Sequence, residues 1–529
     1  MLLLNNVRLE LDDSFENLNI IAAKILKTDV VNIISAKLNK RSLDCRKKND
    51  IHYICSVLVN VNGDESRFLK IKNVSVFSQK PYTYLKCKKS APSPVVVGFG
   101  PAGMFAALTL AKAGLKPIVI ERGSCVEERL KDVELLFSGG KLNENSNIQF
   151  GEGGAGTFSD GKLNTGIKDF RCRLVLEEFV NFGAADKILY DAKPHIGTDV
   201  LVKVVKNIRE QIISLGGKVL FNTKLCDILT TDSVLNGITV ENNGKTYNIN
   251  CEKLILSIGH SARDTFKMLT EKPDITLTRK PFSMGVRIEH PQEVINKAQY
   301  GQMYNNPNLP PADYKLAVHL NNGRGVYTFC MCPGGVVVNA ASEPDTFVTN
   351  GMSYSLRDGK NANSALLVSV LESDLEGDDI LCGMRLQEKV EKAAFGKTNG
   401  QGAPVQLVGD FLNKRASLKL GGVTPTIKPN FTLCDIDGIY PSFITESLRE
   451  AIPLFAKKLR DFDLPDAVIT APETRSTCPV RIIRNDESYE ASLHGLYPAG
   501  EGAGYAGGIM SAAVDGIKVA EAVINAVNL

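Results

Sequence analysis

The sequence predicts an α/β fold of three parts: a Rossmann-like three-layer domain, a mixed β-sheet domain inserted into it, and a small N-terminal α+β module. Three observations carry this. Between Val95 and Glu121 a buried-strand run, a Gly-rich turn, a helix and a second strand follow one another. Between Gly495 and Val527 a strand, an acid, a Gly-Gly pair and a long apolar-striped helix close the chain. The first 92 residues show short alternating strands and a basic excess instead. The expected division is 1–92 for the module, 93–275 for the first segment of the nucleotide domain, 276–490 for the inserted domain and 491–529 for the return segment.

In the module, Val7, Leu9 and Leu11 alternate as a strand does. Asp13 and Glu16 suggest a capped helix running to about Lys27, followed by a strand at Val30 to Ile34. His52 to Val61 and Phe68 to Phe77 read as two strands joined at Asn62-Gly63, a hairpin signal. The module carries 16 Lys and Arg against 9 Asp and Glu, an excess of +7 in a chain whose net charge is only +3. Much of it lies in Lys37 to Lys48. A solvated face accounts for that run; a docking face for nucleic acid is the sharper reading, weakened by the lack of interleaved aromatics. Ala91-Pro-Ser-Pro94 is a short linker.

Composition excludes several classes. Hydrophobic residues make up 43% and charged residues 23%, which is globular, neither disordered nor polytopic. Val95 to Ile120 is too interrupted by glycine, proline and lysine to span a membrane. MLLLNNVRLELDD lacks the basic start and long apolar stretch of a secretory signal, so a cytoplasmic location is expected. The twelve cysteines and six histidines are dispersed, so reduced thiols and no metal site are expected. No G-x-S-x-G or Walker A pattern occurs.

G-x-G-x-x-G occurs three times, and context separates the copies. In the first, Gly98 allows the tight turn, Gly100 lets backbone amides approach a pyrophosphate, and Gly103 lets the helix pack on the strand. Pro101 and Ala102 open that helix, whose N-terminus adds partial positive charge. Glu121, 23 residues after Gly98, can accept hydrogen bonds from a ribose and disfavours a 2′-phosphate; Arg122 follows it. The unit therefore binds an adenine dinucleotide, FAD or NAD. The second copy lies in Gly151 to Lys162, where Gly153, Gly154, Thr157, Ser159, Asp160 and Lys162 form a loop suited to an extended polar ligand. The third, Gly502/Gly504/Gly507, lies between Gly500-Glu501 at a strand end and Gly508-Ile509 at the start of the last helix. NAD generally needs only the first grip; a second, C-terminal clasp argues for a longer ligand with a ribityl chain, FAD.

These residues are recognisable. Val95 to Met104 with Glu121-Arg122-Gly123 resembles the first FAD motif of the glutathione-reductase-like flavoproteins, and Gly495 to Gly508 resembles their C-terminal motif, with Glu501 where Asp is commoner. Leu254 to Gly259 resembles their intermediate strand–Gly motif. Asn147 to Lys162, Lys193 to Asp199, Phe329 to Gly335 and Ala471 to Arg481 extend the match to a bacterial family, the uncharacterised FAD-dependent or NAD(FAD)-utilising dehydrogenases. The resemblance spans essentially the whole chain. It implies a discontinuous FAD domain, Cys226 and its neighbours Thr223 to Leu225 near the adenine, Gly259 at the cofactor, and no particular substrate.

Candidates beside the flavin are Lys162, Arg475, His260, Cys330 and Cys332. Lys162 is a base or a phosphate contact. Arg475 is a clamp for a substrate carboxylate, or the ion partner of Glu473 or Glu501. His260 follows a strand end where loops meet the cofactor. Cys330 and Cys332 share one face of an alternating strand, which disfavours a disulfide and makes them packing thiols rather than a redox pair. No second complete βαβ fingerprint is present, so NAD(P)H could act only as a transient reductant. Three functions follow: an FAD-dependent oxidoreductase acting on a small molecule, a flavoprotein acting on RNA through residues 1–92, and an electron-transfer or scaffold protein. Substrate and oligomeric state are not specified by the sequence.

Overall fold

The computed structural model describes residues 1–79, 81–89 and 91–529. At its centre is a five-stranded parallel sheet in the order Leu496–Pro498, Leu254–Leu256, Val95–Val97, Ile118–Ile120, Lys218–Leu220. The strands nearest the N-terminal turn are fully buried valines, leucines and isoleucines, as a sheet covered on both faces requires. The helix Pro101–Lys112 lies on one face against the C-terminal helix Ile509–Asn528. Their approach is close: a Cβ on Gly516 would sit 2.0 Å from the Ala102 carbonyl oxygen. The chain thus returns after some 240 residues to pair its last strand with Leu254–Leu256. A three-stranded antiparallel sheet, Thr223–Thr231, Val234–Asn242 and Lys245–Asn250, packs beside it.

The second body is a seven-stranded mixed sheet, with Phe282–Pro291 between Asn361–Val370 and Val468–Glu473 near its middle. Met284, Val286, Ile288, Leu366, Val368 and Ile469 are buried there beneath the helix Ser442–Ala456. Phe329 and Cys330 of this sheet's Gly325–Cys332 strand line one cleft with the Gly98–Ala102 turn.

The N-terminal module is a four-stranded sheet with one helix, Leu18–Leu26. Three local expectations are corrected. Ser14, not Asp13, caps the helical start, its hydroxyl accepting from the Glu16 amide. Residues 30–32 form a 3-10 turn, and the strand behind it is Ile33–Asp44, so the basic run is part of a strand. Asn62-Gly63 does not turn a hairpin: the chain enters a 3-10 turn at Glu65–Phe68, and the short strand Val74–Val76 pairs with Leu2–Leu4 instead. Side-chain capping and the better central pairing outweigh the two-residue turn signal. The basic run is also partly consumed. Arg41 pairs with Asp191 at 2.7 Å and lies over Phe15, Tyr53 and Tyr190. Arg46 pairs with Asp44, and Lys48 donates to the Ala298 carbonyl.

Candidate cofactor site

One long cleft runs between the Gly98–Ala102 turn and the mixed sheet. Its floor explains the three glycines of the first motif separately. Gly98 has φ +91°, and a Cβ there would lie 2.2 Å from the Ser257 carbonyl oxygen. A Cβ on Gly103 would lie 1.9 Å from the Gly98 carbonyl oxygen. Both are therefore glycine because of the protein itself. Gly100 differs: its Cβ would meet nothing closer than 3.6 Å, so its bareness faces the cleft and is not required by the protein's own packing. The helix starting at Pro101 and the helix starting at Ile509 both lack a side-chain N-cap, and both begin on the cleft. Their first-turn amides have no intrahelical acceptor, so two donor-rich, partially positive termini face one cleft.

At the far end of this pole Glu121 is buried, its Oε2 accepting from the Phe99 amide at 2.8 Å and its Oε1 from the Gly123 and Gly151 amides at 2.9 and 3.0 Å. Three backbone donors hold a carboxylate that still has acceptor capacity toward the cleft. Arg122 lines the wall but is engaged, donating to Asp264 at 2.8 Å and lying over Phe150. Thr223, Leu225 and Gly259 also line the cleft. Glu501 also lines the cleft, and among the described residues no side chain or amide donates to its carboxyl; burial pushes that carboxyl up, against the pull of His260 and Lys280.

Gly154, Ser159, Lys162, His260, Cys330, Arg475, Gly508 and Ile509 reach the cleft as well. Gly103, Gly153, Thr157, Asp160, Gly500 and Cys332 do not line it. They support it from behind. Gly153 gives room to the buried Thr157 hydroxyl. Asp160 is fully buried and accepts from Ser353 and Arg357, tying the Gly-rich loop to the second body. The Gly500 amide donates to Asp515 at 2.8 Å.

Two candidates take different partners from those the sequence suggested. Arg475 is not free and pairs with neither Glu473 nor Glu501. Its guanidinium grips Glu391 at 3.0 and 2.7 Å, and Arg263 grips the same carboxylate from the other side. Burial pushes the Glu391 carboxyl up, but the two arginines outweigh it and hold it down at about 2. His260 is fixed by its Nε2 at 2.6 Å from the Arg475 carbonyl. Glu473 pairs instead with the fully buried Arg287, at 2.6 and 2.8 Å. The cysteines do not share a strand face. The ladder slips between Phe329 and Cys332, Cys330 has φ +44°, and only Cys330 reaches the cleft. Both are free thiols, pushed up by burial. Alternation was the wrong premise because a bulge inserts there.

The sequence reading did not single out Phe329, Asn350, Asn164 or Glu473 as site residues, yet all four border the cleft. They carry no local spacing signal; Phe329 and Glu473 did lie within the segments of family resemblance.

These features fit an adenine dinucleotide with a polyol chain, and comparison with known proteins agrees. Residues 93–143 match an FAD binding domain family, residues 281–476 a family described as the C-terminal domain of FAD-dependent proteins, and residues 1–60 a domain of unknown function. The protein is therefore an FAD-binding flavoprotein. It belongs to the same family as a protein of Clostridium beijerinckii, designated uncharacterized, with which it shares 49% identity over 532 residues, 99% of each chain. Among solved structures, it is similar to a variant of the flavin-dependent brominase Bmp2 (10% identity, TM-score 0.40, 82% of this chain and 80% of that one). It is also similar to a geranylgeranyl bacteriochlorophyll reductase-like protein of Thermoplasma acidophilum (12%, TM-score 0.35, 82% and 78%). No helix among the described residues is long and apolar enough to cross a membrane, and no cluster of His, Cys, Asp and Glu among them could hold a metal ion.

Proposed function

We propose that the protein is an FAD-dependent oxidoreductase, a dehydrogenase or reductase that exchanges a hydride with a small organic substrate. The observation that supports this best is the asymmetry of the cleft: one pole is backbone and helix N-termini, and the other is walled by side chains of the mixed sheet, open to a second molecule. Bound FAD supplies the hydride chemistry, and the chain supplies position and electrostatics. In this reading Gly98, Gly100, Pro101 and Ala102 seat the pyrophosphate, Glu121 the adenosine ribose, and Thr223 and Leu225 the adenine. Glu501 accepts from the ribityl hydroxyls, and Gly508 and Ile509 present amides to the ring's polar edge. Gly154 and Ser159 close over the chain. His260 and Arg475 act as shape, held by the Glu391 network.

Among the described residues the five-stranded parallel sheet is the only one of its kind. A nicotinamide reductant would therefore dock transiently at the open pole, without a Rossmann unit of its own. The test is anaerobic mixing of the yellow protein with NADH, NADPH and a panel of metabolites. Bleaching of the flavin band by a metabolite supports direct chemistry; bleaching by neither nicotinamides nor any metabolite removes the dehydrogenase reading.

A further inference from the structure

We propose that the flavin pole of the cleft is an anion site that takes the carboxylate of an otherwise apolar small substrate. This rests on the FAD reading above and goes beyond it by naming the substrate class.

The argument is an account of donors. Three of the cations at or behind this cleft are already spent on carboxylates: Arg122 on Asp264, Arg475 on Glu391, and Arg287 on Glu473. Lys162 is not. Its ammonium donates to the neutral Met331 carbonyl. The nearest carboxylate oxygen, on Asp160, stands 3.9 Å away and is itself taken by Arg357. An ammonium has three donors, so capacity remains on the cleft side. Asn350 adds to it. Its Oδ1 accepts from the Gly351 amide at 2.7 Å and lies 3.5 Å from the Arg287 guanidinium, which leaves the NH2 without a protein acceptor among the described residues. Asn164, exposed and on the same lining, has its amide free in the same sense.

The free carboxyl on this cleft is that of Glu501, which the FAD reading assigns to the ribityl chain. Glu473 lines the pole, but its charge is neutralised by two hydrogen bonds from Arg287. The bulge at residues 330–331 joins the parts: its carbonyls accept from Lys162 and from Arg287, so the free cation and the oriented amide flank one backbone kink. Phe329, at the edge of the bulge, lines the cleft while 36% exposed, and offers an apolar surface beside the donors. A pole with a free ammonium, free amide donors and an aromatic wall complements a carboxylate on an apolar body.

The test uses the FAD-loaded protein. It is titrated with benzoate and, separately, with benzyl alcohol, following the visible flavin band. Benzoate should perturb the band saturably and bind at least about tenfold more tightly than the alcohol, the worth of one charge-assisted hydrogen bond. Lys162→Met should keep stoichiometric FAD and lose about the same factor for benzoate, and Lys162→Arg should recover it. Equal binding of benzoate and benzyl alcohol, unchanged benzoate affinity in Lys162→Met, or loss of FAD from that variant would each overturn the proposal. A protein that cannot be loaded with FAD fails the flavin reading itself; a loaded protein indifferent to benzoate fails only the anion site.

Discussion

At the dinucleotide pole the ligand surface comes from backbone: turns at Gly98–Gly100 and Gly507–Gly508, each leading into a helix whose first amides are unpaired. At the other pole it comes from side chains of four segments distant in sequence, around Lys162, Phe329, Asn350 and Glu473. The first pole needs bareness, because phosphate must approach amides closely. The second needs oriented side chains, and it obtains them by burying ion pairs behind the wall. Arg287 and Glu473 lie under the sheet surface, and Glu391 sits between Arg263 and Arg475. A surface made of backbone is fragile to any added atom, whereas one made of buried charges is fragile to any lost partner.

That contrast can be broken at several points. The largest expected effect is Gly100→Val. Its side chain enters the cleft rather than the protein, so the fold should survive by circular dichroism while the purified protein loses its flavin absorbance entirely. Full FAD occupancy in that variant would show that the turn does not seat the pyrophosphate. Next is Arg287→Met, which strands the Glu473 carboxylate without its partner and should cost ~3–5 kcal/mol in denaturant unfolding. The double variant Arg287→Met/Glu473→Leu should recover much of that loss, since no uncompensated charge remains. If the single variant is as stable as the parent, the pair is not what holds the substrate-side wall.

Acid stability probes the second network. Folded Glu391 is held at about 2 against an ordinary 4.5. A carboxyl depressed by folding contributes stability that is fully present above 4.5 and is lost as pH falls toward about 2. The parent should therefore lose unfolding free energy through that window, and Glu391→Gln, less stable at neutral pH, should show a flatter profile there. An unchanged slope would mean that other carboxyls govern acid unfolding. The smallest effect belongs to the module. Arg41→Ala removes an ion pair with Asp191 and three aromatic contacts at its junction with the body, and should cost about 1 kcal/mol while leaving FAD content unchanged.

How much of this was legible follows the same division. The βαβ turn was readable because its requirements are local: Gly98, Gly103 and Glu121 act within one supersecondary unit of fixed length. The returning strand Leu496–Pro498 and the helix Ile509–Asn528 were readable for the same reason. The module was read less well. A side-chain cap at Ser14 and a strand that runs through the basic segment depend on competition among neighbours. Cys330 and Cys332 were misplaced because a bulge, set by pairing with Asn361–Val370, overrode the alternation that their spacing implied. Arg475 could be seen as important but not assigned a partner, since Glu391 lies 84 residues away on the helix Cys382–Lys397.

Sequence alone therefore determined the fold class, the dinucleotide turn and the return of the chain to its first sheet, because each depends on glycine spacing and on apolar runs within a few tens of residues. Only the tertiary structure decided which charges are spent and which remain free. Ion-pair partners are chosen by where helices and sheets bring side chains together, and a buried arginine must find its carboxylate wherever the packing places one. Lys162 stands out on the cleft for that reason: Arg122, Arg287 and Arg475 are each matched to a carboxylate, while its own ammonium donates to a carbonyl.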